Sequence, residues 1–137
     1  MTVRAALDTT VLLYAISDEP SELSKRNIAE TLMQRPDWGV STQVLQAFYV
    51  NATEGETPSM SRAEAEHAVE QFLDRPVIGV TPALLRQTMA LHQRYQLSYW
   101  DAAIIASAKA LGATTLYSED LNHGQIYDGV RVENPFL

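Results

Sequence analysis

Cysteine is absent from the 137 residues, which excludes disulfides, thiolate nucleophiles and cysteine-ligated zinc. Histidine is scarce: His67, His92 and His123 are too scattered for a histidine-rich metal site, and each reads as a solvated surface position. A hard, oxygen-liganded cation is the natural choice if any metal binds. Basic charge is also short, with ten Lys and Arg against seventeen Asp and Glu and a formal net charge of −7. That balance disfavours charge-driven adhesion to nucleic acid or anionic membrane. A nucleic-acid partner therefore needs a local basic patch or bridging cations. Long apolar runs are missing as well: the longest early one, Val11 to Ala15, falls far short of the ~20 residues of a membrane helix. Arg4 is followed by no apolar signal core, so the expectation is a cytoplasmic protein with no membrane partner.

What is present is a globular composition, 46% hydrophobic and 20% charged. A chain of this length buries roughly 68% of its unfolded surface around one core, so a single domain over residues 1–137 is expected. Short apolar segments alternate with amphipathic ones, the pattern of a parallel sheet covered on both faces. Strands are predicted at Val3–Leu7, Trp38–Ser41, Val77–Val80, Thr114–Tyr117 and Val130–Val132. Helices are predicted over Val11–Ile16, then from a cap at Ser17 or Asp18 with a buried stripe of Leu23, Ile28, Leu32 and Met33. Another runs from Ser41 or Thr42 to about Thr53, before a loop from Glu54 to Ser59. Ser61-Arg62-Ala63-Glu64 has the form of a capping box, Thr81-Pro82 opens a helix to about Tyr95, and a largely buried helix spans Tyr99–Leu111 up to Gly112.

Three aspartates stand where such a fold gathers functional groups. Asp8 follows the first strand, Asp101 lies in the first turn of the buried helix, and Asp120 follows the fourth strand. Two carboxylates about 4 Å apart repel by ~4 kcal/mol at an effective dielectric near 20, so a converging set needs protonation or a bound cation. Mg²⁺ or Mn²⁺ fits neutral pH. Taken singly, each acid also has a structural reading: Asp8 as a turn residue, Asp101 as the partner of Ser98 in a helix cap, Asp120 as an ordinary loop residue beside Asn122 and Gly124. Trp100, Phe48 and Tyr49 read as core or interface packing before base-stacking platforms, and Arg4, Lys25 and Arg26 as solvated before phosphate contacts.

Four stretches in order, Leu7-Asp8-Thr9-Thr10-Val11-Leu12-Leu13-Tyr14-Ala15, Ser41-Thr42-Gln43-Val44-Leu45-Gln46, Leu97-Ser98-Tyr99-Trp100-Asp101-Ala102-Ala103 and Leu116-Tyr117-Ser118-Glu119-Asp120-Leu121, span nearly the whole chain. Together they resemble the PIN-domain ribonucleases, especially VapC-type toxins of toxin–antitoxin pairs. The resemblance implies a three-layer α/β/α fold with a central parallel sheet of about five strands in the order 3-2-1-4-5. It also implies a homodimer, a small antitoxin partner, and Mg²⁺- or Mn²⁺-dependent hydrolysis of RNA. Carried over by position, the acidic catalytic and metal-binding set becomes Asp8, Asp101 and Asp120. From their neighbouring places in the chain, Thr9 and Ser118 are candidates to orient these ligands or contact phosphate, and Glu119 to add a ligand.

One position departs from that pattern. Where the family commonly reads Gln-Glu-Phe, this chain reads Gln46-Ala47-Phe48, and alanine neither binds a cation nor takes up a proton. Glu54 lies two helical turns further on and Glu56 in the following loop, so neither replaces it without backbone movement. An impaired nuclease is therefore expected. Two alternatives are a catalytically silent antitoxin-binding module and a phosphatase with Asp8 as nucleophile. The second lacks the acid such enzymes usually place two residues on, where Thr10 stands.

Overall fold

The computed structural model describes residues 2–55 and 58–137, in which the apolar segments form one six-stranded sheet. The strands are β1 (Ala5–Leu7), β2 (Trp38–Ser41), β3 (Val77–Ile78), β4 (Thr115–Tyr117), β5 (Ile126–Tyr127) and β6 (Val130–Glu133), in the order β3-β2-β1-β4-β6-β5. The first five in that order run parallel, with Ala6 opposite both Gly39 and Leu116. The expected order 3-2-1-4-5 is present, β6 being the fifth strand of the sequence reading. The sheet has one strand more than expected. Asp128 (φ 50°) and Gly129 (φ 86°) form a two-residue turn that folds β5 back antiparallel onto the edge of β6.

Six helices cover the faces: α1 (Thr9–Ala15), α2 (Leu23–Met33), α3 (Thr42–Glu54), α4 (Arg62–Phe72), α5 (Pro82–Tyr95) and α6 (Tyr99–Leu111). Side chains of β1 alternate between two cores, because successive strand residues point to opposite faces. Ala5 and Leu7 pack with α1 to α4 around fully buried Phe48, whereas Ala6 packs with α5 and α6 around Ile105. Phe48 meets Phe72 edge to face at 5.3 Å, joining α3 to α4. Burying such a ring stabilises by about 1.5–3 kcal/mol, so this contact holds α4 against α3, the helix that carries position 47. Gly39 faces α6, and a Cβ there would lie 2.9 Å from Pro76 O and 3.3 Å from Leu111 Cδ2. Glycine at this position chiefly lets the Pro76 backbone, just before β3, approach β2.

Several boundaries differ from expectation for local reasons. The first helix starts at Thr9 because Asp8 itself caps it, and Glu54 belongs to α3. Neither Ser17 nor Asp18 caps α2: a 3₁₀ turn at Pro20–Glu22 precedes it, and Ser17 Oγ–H donates to Glu22 Oε1 at 2.6 Å. The stripe of α2 centres on buried Ala29, leaving Leu23 exposed, and the third strand ends at Ile78. On α5 the buried set is Leu84, Thr88 and Leu91, while Leu85 and Met89 face outward. Glu56 lies outside the described residues.

Candidate active site

The sheet reverses its winding between β1 and β4: the chain lays β2 and β3 on one side of β1, then returns to place β4 on the other. Such a switch point opens a crevice beyond the carboxyl ends of the two strands. Asp8 stands there, one residue past β1, held by the ladder bond from its N–H to Tyr117 O at 3.0 Å. It is the N-cap of α1, and its Oδ1 accepts the Thr9 N–H at 2.7 Å. Its Oδ2 accepts the hydroxyl of fully buried Ser118, just past β4, also at 2.7 Å. Ser118 Oγ in turn accepts the Asp120 N–H at 3.2 Å, so one hydroxyl ties the two acidic segments together.

Asp8 is only 5% exposed. Burial pushes its pKa above the ordinary carboxylate value, the Ser118 and Thr9 hydrogen bonds oppose the rise, and the charges of Asp120 and Asp101 add to it. Asp120 is also raised, first by partial burial, then by Glu119 and Asp101. The charges of Asp101 and Asp120 thus reach Asp8, and that of Asp101 reaches Asp120. No salt bridge reaches any of them among the described residues. A buried carboxylate facing like charges with no cation is costly unless it is protonated or a positive ion is supplied. Such an uncompensated oxygen set suits a hard divalent cation. The carboxylates do not close into a direct cage, however: no three acidic or imidazole groups among the described residues stand close enough to ligate one ion together. An ion held here would be met by at most one or two of these carboxylates directly and otherwise through its own waters, an arrangement that Mg²⁺ tolerates.

Asp101 occupies the first turn of α6, where its N–H donates to the N-cap Ser98 Oγ at 3.1 Å. The reciprocal bond of a capping box, from Ser98 N–H to the Asp101 carboxylate, is not formed, so this carboxylate is not used in capping. Thr9 contributes its backbone N–H to Asp8. Glu119 is turned to another purpose: its Oε2 accepts from Lys25 Nζ at 2.7 Å and its Oε1 from Tyr14 OH at 2.6 Å. Lys25 and Tyr14 belong to this region although they were not singled out for it, and no spacing rule links them to position 119. Ala47 sits half-buried on α3, whose N-cap Ser41 ends β2 beside β1 at the same edge of the sheet. His67 and His92 stay exposed on their helices, and His123 Nδ1 accepts the Asn134 N–H at 3.0 Å.

The sequence profile of the PIN domain matches residues 5–129, nearly the whole chain. The chain belongs to the PIN-domain family. No curated protein matches it. Among solved structures, a toxin–antitoxin complex from Klebsiella pneumoniae superposes with a TM-score of 0.69 at 20% identity, covering 96% of this chain and 97% of that one. VapBC2 from Rickettsia felis, bound to a DNA fragment from its promoter, gives 0.65 at 19% identity, with 96% and 98% covered. The Mycobacterium tuberculosis toxin VapC20, described as cleaving the sarcin–ricin loop, gives 0.63 at 20% identity, with 93% and 98% covered. At these identities the likeness establishes a shared PIN fold.

Proposed function

We propose that this PIN domain is a ribonuclease toxin of a toxin–antitoxin pair, dependent on Mg²⁺ or Mn²⁺ and impaired by Ala47. What supports the reading is that Asp8 and Asp120 follow the carboxyl ends of β1 and β4, within electrostatic reach of Asp101, with no cation paired to any of the three among the described residues. Asp8, Asp101 and Asp120 would hold the ion, in part through its waters. When bound, such an ion polarises a phosphodiester and lowers the pKa of water toward neutrality. The chain's own part is positional: Ser118 and the Thr9 N–H fix both oxygens of Asp8, and Ser118 also sets the backbone of Asp120. Most cations of the described residues are committed elsewhere, Arg35 to Asp37, Arg26 to Glu30, Lys109 to Asp128. Bound metal would add counter-charge for an RNA backbone to that of the remaining arginines.

Position 47 tests the proposal. Restoring a carboxylate with Ala47→Glu is expected to raise Mn²⁺-dependent RNA cleavage by about 10²-fold or more, the scale on which single preorganised catalytic groups act. A folded Ala47→Glu protein that cleaves no RNA would count against the assignment.

Ala47 itself favours a second reading, a silent module that retains only its partner surfaces. Two apolar grooves flank α4 and support a protein partner such as an antitoxin segment. One of about 600 Å³ includes Ile16, Met33, Met60 and Phe72, and one of about 830 Å³ includes Leu45, Val50, Val69 and Leu73. Exposed Val80, Leu85 and Trp100 line a separate recess, the kind of aromatic and aliphatic face that supports a homodimer. Antitoxin binding with no cleavage by either the parent or Ala47→Glu would select the silent module. Asp8 as a phosphate-accepting nucleophile has less support, because Thr10 stands where such enzymes place a second acid and no lysine pairs with Asp8 among the described residues. No described helix is long and apolar enough to cross a membrane, and a cytoplasmic location remains part of the proposal.

A further inference from the structure

Glu119 sits between the two residues that build the acidic cluster, Ser118 and Asp120, yet its side chain is used differently from either. Both of its oxygens are occupied, Oε1 by Tyr14 OH at 2.6 Å and Oε2 by Lys25 Nζ at 2.7 Å, and Lys25 Nζ also donates to Tyr14 OH at 3.1 Å. The ammonium lies 4.8 Å from the centre of the Tyr14 ring and 5.8 Å from that of Phe136, and these rings meet edge to face at 4.8 Å. Two segments distant in sequence, the end of α1 and the first turn of α2, thus converge on the carboxylate that follows β4, and the C-terminal Phe136 packs against both of their side chains. Side chains of Lys25 and Glu119 are 39% and 25% exposed, so the pair is partly shielded from water.

We propose that Lys25, Tyr14 and Glu119 form a positioning clamp that holds Asp120 in the acidic cluster; this rests on reading Asp120 as a cation-binding residue. Ser118 fixes the segment on its inner side through Asp8, and Glu119 fixes it on the outer side through Lys25. The clamp also limits a charge problem. Unpaired, Glu119 would be free to swing toward the same cation as Asp8, Asp101 and Asp120. Hydrogen-bonded to Lys25 and Tyr14, its carboxylate is held aside, although its charge still adds to the rise in the Asp120 pKa. Hydrogen bonding to Glu119 and Tyr14 accordingly drives the Lys25 pKa upward, and Glu119 is lowered despite partial burial because Lys25 and Tyr14 outweigh it.

Positioning and direct ligation by Glu119 predict opposite signs for one substitution. Mn²⁺ affinity of the full chain is measured by electron paramagnetic resonance for the parent, Lys25→Met, Lys25→Arg, Glu119→Ala and Asp120→Asn. Amide hydrogen exchange over residues 119–123 and thermal melting are followed in parallel. The clamp predicts that Lys25→Met and Glu119→Ala each weaken Mn²⁺ binding roughly 10-fold, the lower end of what outer-shell partners of metal ligands contribute. Exchange at 119–123 should quicken in both, Lys25→Arg should stay near the parent, and melting should shift little. If Lys25→Met leaves affinity unchanged while Asp120→Asn weakens it, the clamp is overturned and the metal site stands. Tighter binding in Lys25→Met makes Glu119 a competing ligand and also overturns the clamp. Unchanged affinity in Asp120→Asn shows that the metal reading itself has failed, and the clamp fails with it.

Discussion

Asp120 and Asp128 are eight residues apart in sequence but stand at opposite ends of the parallel pair β4 and β6, and the fold treats them in opposite ways. Asp128, in the turn between β5 and β6, receives Lys109 at 2.8 Å and Arg94 at 3.6 Å, and the Lys109 bond pulls its pKa below the ordinary value. Asp120 receives no cation, and burial with two acidic neighbours pushes its pKa up. With seventeen acids and ten bases the chain cannot pair every carboxylate, and several without a salt bridge, such as Glu54, Glu66 and Glu70, lie on helix surfaces where water solvates them. What sets the switch point apart is burial: Asp8 is buried and Asp120 partly so, with no cation paired to either among the described residues. A folding requirement alone would favour leaving such carboxylates in water.

Activity is where breaking this contrast should show most. In the Ala47→Glu background, Asp8→Asn is expected to lower RNA cleavage by about 10²–10³-fold, read from initial rates on a labelled RNA. Asp128→Asn in the same background should leave the rate within about twofold.

Stability against pH sharpens the comparison. A carboxyl whose folded pKa is raised binds more protons folded than unfolded between its ordinary value and the raised one. The stability it contributes is full below the ordinary value and is lost as pH rises through the raised one. For Asp8 and Asp120 this predicts that metal-free protein loses stability from mildly acidic toward neutral pH, and that Asp8→Asn flattens the slope in urea melts. Mn²⁺ at a hundred times its Kd should restore about 2.7 kcal/mol at neutral pH. A slope that survives Asp8→Asn would place its origin elsewhere.

Removing single charges separates the two regions more gently. Asp120→Asn should hold or raise the melting temperature of the metal-free protein, since it relieves like-charge repulsion. Asp128→Asn should lower it by at most a few degrees, because its partners are solvent-exposed and asparagine tolerates the positive φ.

The smallest effect concerns two helix starts with one pattern. Ser61-Arg62-Ala63-Glu64 closes both bonds of its capping box, whereas Ser98-Tyr99-Trp100-Asp101 closes only one. Ser61→Ala and Ser98→Ala should each cost about 1 kcal/mol in urea titrations, with Ser61 the larger because its box is reciprocal. Equal loss would mean that the Asp101 carboxylate shares in capping after all.

These same positions show what was legible in the chain. Parallel strands came through because β1 and β2 are short apolar runs followed by helix-start residues, and Asp8 and Asp120 could be placed at strand ends from that alternation alone. β5 was missed although Asp128-Gly129 between Tyr127 and Val130 is a strong two-residue hairpin signal; its strand is too short to show alternation. The choice between capping and a free carboxylate at Asp101 could not be read, since Ser-x-x-acid looks the same either way. Glu119 was grouped with the acidic set because its sequence neighbour suggested it. Its partner, Lys25, is 94 residues away on α2, and only the tertiary fold supplies that contact.

The central claim is that Asp8, Asp101 and Asp120 serve one divalent cation, and anomalous diffraction from crystals of this chain grown with Mn²⁺ tests it most directly. The account predicts a manganese peak at the switch point between β1 and β4, lost in Asp8→Asn. Well-ordered aspartates with no peak among them at saturating Mn²⁺ would contradict it.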